Sequence, residues 1–268
     1  MSLHSQFSKV VLKAEREIAY DSPDHLMPWG TKHDNSRHGR FNSKLYALFP
    51  KRHLNILDLG CSGGGFVRDC LNDGHLAVGL EGSDYSKKFK RAEWAIIPDF
   101  LLTCDVTARF ELAIQTVEAS LDPLHFDIVT SWEFMEHIAE DDIEKVAANV
   151  KRHLKPGGLW IMSVSSDEDV VNGVALHQTV QEKDWWVRKF SELGFSNLET
   201  HVSYFNHHFV RGPKQGENQS FHLLLTADPS KSVTFPKRSM KQKWFTYLYD
   251  SWILSRPQKF LDRLVNGV

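Results

Sequence analysis

Short apolar runs alternate along the chain with longer stretches in which hydrophobic residues recur every three or four positions. Leu54–Leu59, Leu76–Leu80, Phe100–Cys104 and Phe126–Thr130 have the length and composition of buried strands. Asp141–Leu154 carries Ile143, Val146, Ala147, Val150 and Leu154 at helical spacing. Val67–Leu71 suits the first turns of a helix, and Glu182–Leu193 predicts another, ended by Gly194 at a C-cap position. Gln6–Tyr20 predicts an N-terminal helix, and Asp21–Asn42, rich in Pro, Gly, His and Asn, a long loop. Asn197–Phe205 and Ser220–Thr226 read as two closing strands. Strands alternating with helices predict an α/β fold with a mostly parallel sheet covered on both faces.

Composition narrows the setting. A chain of 268 residues, 41% hydrophobic and 25% charged, holds one α/β domain with extensions. Met1–Gln6 has no apolar core of a secretory signal, and no stretch is long enough to span a membrane. Three cysteines, Cys61, Cys70 and Cys104, form no C-x-x-C pair, which predicts a reducing, cytoplasmic setting without a disulfide framework. The 14 histidines show no H-E-x-x-H spacing, so no metal site is predicted. The net charge of −2 and the absence of a recognition motif predict no nucleic-acid partner.

The chemistry concentrates in Asn55-Ile-Leu-Asp-Leu-Gly-Cys-Ser-Gly-Gly-Gly-Phe66. A buried strand runs into a glycine-rich turn, and a helix follows whose first N–H groups face a ligand. About twenty residues after Gly60, Leu80-Glu81-Gly82 places an acid at the distance that holds ribose hydroxyls. A dinucleotide fingerprint G-x-G-x-x-G would align Gly60, Ser62 and Gly65, so its middle glycine is missing.

Asp58, Gly60 and Gly64 instead resemble motif I, (D/E)-x-G-x-G-x-G, of the class I S-adenosylmethionine (SAM)-dependent methyltransferases, with Ser62 at the middle glycine. Further landmarks follow in order: Leu101-Leu-Thr-Cys-Asp105-Val106, Phe126–Ser131, Trp132-Glu-Phe-Met-Glu136-His137-Ile138, and Leu154-Lys-Pro-Gly-Gly158 before Leu159–Val164. The resemblance covers roughly Leu54–Ala227. It implies a Rossmann-like sheet of seven strands, mostly parallel, closed by an antiparallel hairpin, with an N-terminal helix and a C-terminal helical extension. It divides the chain into 1–53, a cover over the site; 54–227, the SAM-binding domain; and 228–268, an extension. SAM is the implied cofactor. Asp58 and the turn through Gly60, Cys61, Gly63 and Gly64 to Phe66 would meet its amino-acid end. Glu81 with Gly82 would take the ribose, Asp105 with the Val106 amide the adenine, and Ser131 and Trp132 the floor near the methyl.

The acceptor side is less marked. His177, followed by Trp185, Trp186, Phe190, Gly194 and Phe195, resembles a subset of these methyltransferases tied to glycan and natural-product pathways, in which the histidine faces the acceptor. His177 is therefore a candidate base, against a packing role. Glu136-His137 is a candidate base pair or metal-ligand pair, or a brace for the following helix. The loop Trp29–Asn35 is placed to close over the cofactor, or is an ordinary surface loop. From Lys231 to Val268 there are eight Lys and Arg and two acids. Trp244, Leu248 and Trp252 recur there at four-residue steps, predicting a helix that folds back on the domain or meets a membrane surface or protein partner. The leading function is methyl transfer to a small-molecule or sugar acceptor, at an oxygen. The alternatives are an NAD(P)-dependent oxidoreductase and a non-catalytic interaction module.

Overall fold

A computed structural model describes residues 7–28, 34–49, 52–205, 208–213 and 219–236. In chain order the strands and helices are β1 (Phe7–Ala14), α1 (Pro23–Leu26), α2 (Gly39–Ala47), β2 (Asn55–Leu59), α3 (Gly65–Asn72), β3 (Leu76–Glu81), α4 (Tyr85–Lys88), β4 (Leu101–Thr103), β5 (Phe110–Thr116) and β6 (Leu121–Pro123). Then follow β7 (Phe126–Trp132), α5 (Ile143–His153), β8 (Leu154–Ser165), β9 (Val170–Val171), β10 (Val174–Ala175), α6 (Lys183–Glu192), β11 (Ser196–Asn197), α7 (Glu199–Phe205) and β12 (Ser220–Thr226).

Seven strands form the main sheet in the order β11-β12-β8-β7-β2-β3-β4. Strands β8, β7, β2, β3 and β4 are parallel, and β12 runs antiparallel to both of its neighbours. This is the predicted sheet with its closing hairpin. Every residue of β7 is buried, as expected of a parallel strand covered on both faces. Helix α5 covers one face with Ile143, Val146, Ala147 and Val150, the periodic set read from the sequence. Strand β2 pairs with β3 on one side and β7 on the other, so the strand order reverses at its carboxyl end. Open α/β sheets bind ligands in the crevice at that position.

Three expectations are corrected. The N-terminal segment is strand β1, not a helix. It pairs antiparallel with β5, Val10 opposite Ile114 and Leu12 opposite Leu112, and β6 completes a separate three-stranded sheet. Val10 is buried and Leu12 and Ala14 pack on the core, while Lys9 and Lys13 are exposed; the working period is two, not 3.6. Second, Asn197–Phe205 holds only the two-residue β11 before α7. Lys44 Nζ donates to the Phe205 carbonyl at the end of α7, satisfying an acceptor the helix leaves open. Third, Asp21–Asn42 is not all loop. It contains α1 and the start of α2, whose His38 Nδ1 accepts the Phe41 N–H as an N-cap.

Met1–Val233 forms one compact unit and Thr234–Val268 a second. The aromatic helix expected around Trp244, Leu248 and Trp252 lies outside the described residues. No helix among the described residues is long and apolar enough to cross a membrane.

Candidate active site

The glycine-rich turn lies at the carboxyl ends of β2 and β3. The Gly60 and Cys61 amides donate to the Leu80 carbonyl at 2.9 and 3.1 Å, fixing the turn to the neighbouring strand. Gly60 has φ +69°, and a Cβ there would meet the Phe134 ring at 2.4 Å. Ser62 is left-handed at φ +45°, a conformation that costs a non-glycine residue energy. Its hydroxyl accepts from Arg91 Nη2 at 2.8 Å and donates to the Asp34 carbonyl at 3.3 Å, and its own carbonyl accepts from Trp94 Nε1 at 2.7 Å. The serine therefore does more than a small residue would. Gly63 is constrained from outside: its N–H donates to the Asp34 carbonyl, and a Cβ would come within 2.6 Å of that oxygen. Asp34 and Asn35, the described end of the predicted covering loop, thus pack directly on the turn.

A cleft of about 530 Å³ opens above these ends, within the size of small-ligand sites. Asp58, Gly60, Cys61, Phe66, Glu81, Gly82, Asp105, Val106 and Trp132 line it, as do His137 and His177. Gly63, Gly64 and Ser131 are not among its lining. Ser131 Oγ accepts from Trp160 Nε1 at 3.0 Å inside the sheet. Adjacent strand residues point to opposite faces, so Ser131 and Trp132 cannot share the floor. Trp132 packs edge-on against Phe41 and Phe66, and its buried indole N–H has no hydrogen-bond partner.

The three expected acids differ. Asp58 is buried and accepts from Thr130 Oγ1 at 2.6 Å. Burial pushes its carboxyl up to about 7, with the Thr130 bond opposing and the Glu81 charge adding to the rise. Glu81 accepts from the Ser62 N–H at 2.7 Å and the Ser83 N–H at 3.4 Å. Burial raises its pKa, and those two amides limit the rise. Asp105 is occupied by its own turn: Oδ1 accepts from Thr107 N and Oγ1, and Oδ2 lies 3.0 Å from Arg16. One lone pair of Oδ2 is left for a ligand.

In the same cleft, Glu136, His137 and His177 come together. Glu136 is fully buried; Oε1 accepts from the Ser165 N–H at 2.8 Å, and Oε2 has no hydrogen-bond partner. Burial pushes its carboxyl up to about 7, against the pull of His137 and two backbone hydrogen bonds. His137 Nδ1 lies 2.8 Å from the Asp24 carboxylate. Burial lowers the His137 pKa, but Asp24 and Glu136 outweigh it and the net shift is upward. His177 Nδ1 donates to the Asp167 carbonyl, which leaves Nε2 to accept. The two imidazoles meet edge to face with centroids 4.7 Å apart. By contrast Phe190 and Phe195, aromatics that follow His177, pack on Trp160 in the core, and Trp186 stacks on Phe190. Of that run, only His177 and Gln178 reach the cleft.

At the rim Arg211 donates to Glu133 through Nε and to Asp34 through Nη1, both at 2.6 Å. Glu133 is left-handed at φ +49°, its N–H held by Ser163. Asp24, Arg211 and Arg16 are site residues that the sequence reading missed. Their partners lie far along the chain, and no local spacing marks them.

A family described as a methyltransferase domain matches residues 33–212, about two thirds of the chain. The chain belongs to this family. Its fold is that of the class I SAM-dependent methyltransferases. A SAM-dependent methyltransferase from Clostridium acetobutylicum, 13% identical, aligns over 76% of this chain and 96% of its own with a TM-score of 0.50, a likeness of fold alone. A ubiquinone biosynthesis O-methyltransferase of Mesorhizobium japonicum is 26% identical over 58% of this chain and 58% of its own. That of Thiobacillus denitrificans is 30% identical over 42% of this chain and 44% of its own. The chain thus spans about half the length of these curated relatives.

SAM is the cofactor of the methyltransferase family, and the residues fit it. Asp58 is a buried carboxylate whose pKa is raised with no cation among the causes, as suits a place for a ligand's ammonium group. Glu81 is held by two amides, with lone pairs left for ligand hydroxyls.

Proposed function

We propose that the protein transfers the methyl group of SAM to an oxygen of a small-molecule or sugar acceptor. The observation that carries this reading is that one cleft joins the Asp58–Glu81 pair to the Glu136–His137–His177 cluster. In the proposal Asp58 takes the cofactor's ammonium and Glu81 its ribose hydroxyls. Trp132 and Phe66 wall the cofactor, and Asp105 and Val106 lie at its adenine end. SAM, when bound, supplies an electrophilic methyl that transfers by in-line displacement. The chain's part is to align acceptor and methyl, a contribution of about 7–11 kcal/mol at best, and to deprotonate the acceptor at the histidine cluster. The relatives named as O-methyltransferases support oxygen as the acceptor atom. Family membership disfavours the oxidoreductase and the non-catalytic module. Membrane or partner contact by the segment from Lys231 onward rests on its basic, aromatic sequence alone.

The test is transfer of labelled methyl from SAM to a panel of phenols, sugars and amines. Labelled ether products are expected, and exclusive labelling of amines would overturn the oxygen assignment.

The Asp58 role predicts a pH dependence. Its folded pKa, about 7, lies above the usual carboxylate value. The neutral form is therefore favoured in the empty protein, and the stability it adds is lost as pH rises through about 7. Binding an ammonium needs the anion, so S-adenosylhomocysteine (SAH) affinity should fall by up to about tenfold per unit as pH drops below 7, with proton uptake by the free protein. Asp58→Asn should bind more weakly and flatten this slope. Calorimetry at pH 6, 7 and 8 checks it; a wild-type affinity independent of pH removes the role.

A further inference from the structure

We propose that Glu136, His137 and His177 hold a first-row divalent cation that binds the acceptor oxygen. The inference rests on the methyl-transfer reading above and names how this cluster activates the acceptor.

Each of the three residues offers a ligand atom within 4.8 Å of the other two. Closing to bonds of about 2.0–2.2 Å needs only modest side-chain movement. A carboxylate with two imidazoles suits zinc, manganese or cobalt better than magnesium, which prefers oxygen alone. The atoms behind the ligands support the assignment more strongly than proximity does. Metal-binding imidazoles have the other ring nitrogen fixed by a carboxylate or a carbonyl, and ligating carboxylates are themselves hydrogen-bonded. Here His177 Nδ1 sits on the Asp167 carbonyl and Glu136 Oε1 on the Ser165 N–H, while His137 Nδ1 lies 2.8 Å from the Asp24 carboxylate without the geometry of a hydrogen bond. That leaves Nε2 of His177 and Oε2 of Glu136 as open positions, with one ring nitrogen of His137 completing the set. Glu136 Oε2 is the independent sign: a fully buried carboxylate oxygen without a hydrogen-bond partner, beside the cleft. Such an atom is costly to bury unless something satisfies it.

Three ligands leave coordination positions for the acceptor. A hydroxyl bound there loses its proton to water more readily, and the resulting alkoxide or phenoxide keeps the lone pair that attacks the methyl carbon. His177 then acts as a ligand and does not itself receive the proton.

The experiment titrates EDTA-stripped, full-length protein with Co²⁺, read by calorimetry and visible absorption, with Zn²⁺ as competitor. One Co²⁺ per chain is expected, displaced by Zn²⁺. Glu136→Gln, His137→Ala and His177→Asn should each weaken it at least tenfold. The Asn and Gln variants keep the Asp167 and Ser165 contacts, and circular dichroism checks that they fold. His125→Ala, exposed and outside the cleft, should bind as wild type. No Co²⁺ or Zn²⁺ uptake by wild type, or unchanged uptake by all three variants, overturns the proposal. SAH titrated into the same stripped protein separates the two levels. SAH binding without cation uptake sinks the cation site alone, and cation uptake without SAH binding sinks the methyl-transfer reading beneath it.

Discussion

His177→Ala is expected to cut methyl-transfer turnover by about 10²-fold or more while SAH affinity stays within about twofold. Removing a group that assists proton loss from the reacting hydroxyl typically costs this much. The split between turnover and affinity follows from the geometry. His177 lines the cleft with its Nδ1 tied to Asp167, and the hydrogen bonds that hold Asp58 and Glu81 come from Thr130, Ser62 and Ser83 instead. Its loss therefore leaves the cofactor contacts alone. The prediction holds whether Nε2 takes the proton or holds a cation, because both end with the side chain. Turnover equal to wild type would return His177 to a packing role and leave the acceptor side without its main residue. His177→Asn, which preserves the Asp167 hydrogen bond, should be as slow as the alanine variant. Recovery in the asparagine variant would mean that His177 acts only by bracing its loop.

Glu81→Ala is expected to weaken SAH binding at least tenfold, about 1.4 kcal/mol. The carboxylate is buried and held in place by Ser62 and Ser83 amides before any ligand arrives, so little ordering is needed on binding. Hydrogen bonds to a charged group contribute about 1.5–3 kcal/mol each, and a ribose supplies two donors. The same carboxylate also anchors the strained Ser62 amide, so the alanine variant should melt at lower temperature as well. Glu81→Gln keeps an acceptor for Ser62 and separates the two effects: its melting temperature should recover more than its affinity. An alanine variant that binds SAH as wild type would remove the ribose role.

The parts of the fold legible in sequence are those whose cause is local. The buried runs of β2, β3 and β7, the apolar stripe of α5 and the Asp58-to-Glu81 spacing each lie within a few tens of residues and carry one period. Strand β1 was not legible. Val10 and Val11 stand side by side between lysines, and only the partner β5, about 100 residues on, decides which faces inward. The Asp34–Arg211–Glu133 cluster at the rim joins three distant segments for the same reason. Ser131 was open to a better reading, since strand alternation already sets it opposite Trp132. Asp105 shows a different limit. Its position just after β4 was readable, but its capture by Thr107 and Arg16 was not. Glu136 and His137 were visible as a pair, whereas the approach of His177 depends on how the segment after β8 folds back.

The most direct test of the central claim is a calorimetric titration of the purified protein with SAH, with NADH as control. The structure predicts micromolar binding of SAH at one site per chain and none of NADH. Binding of NADH, or no binding of SAH by the folded protein, would contradict it.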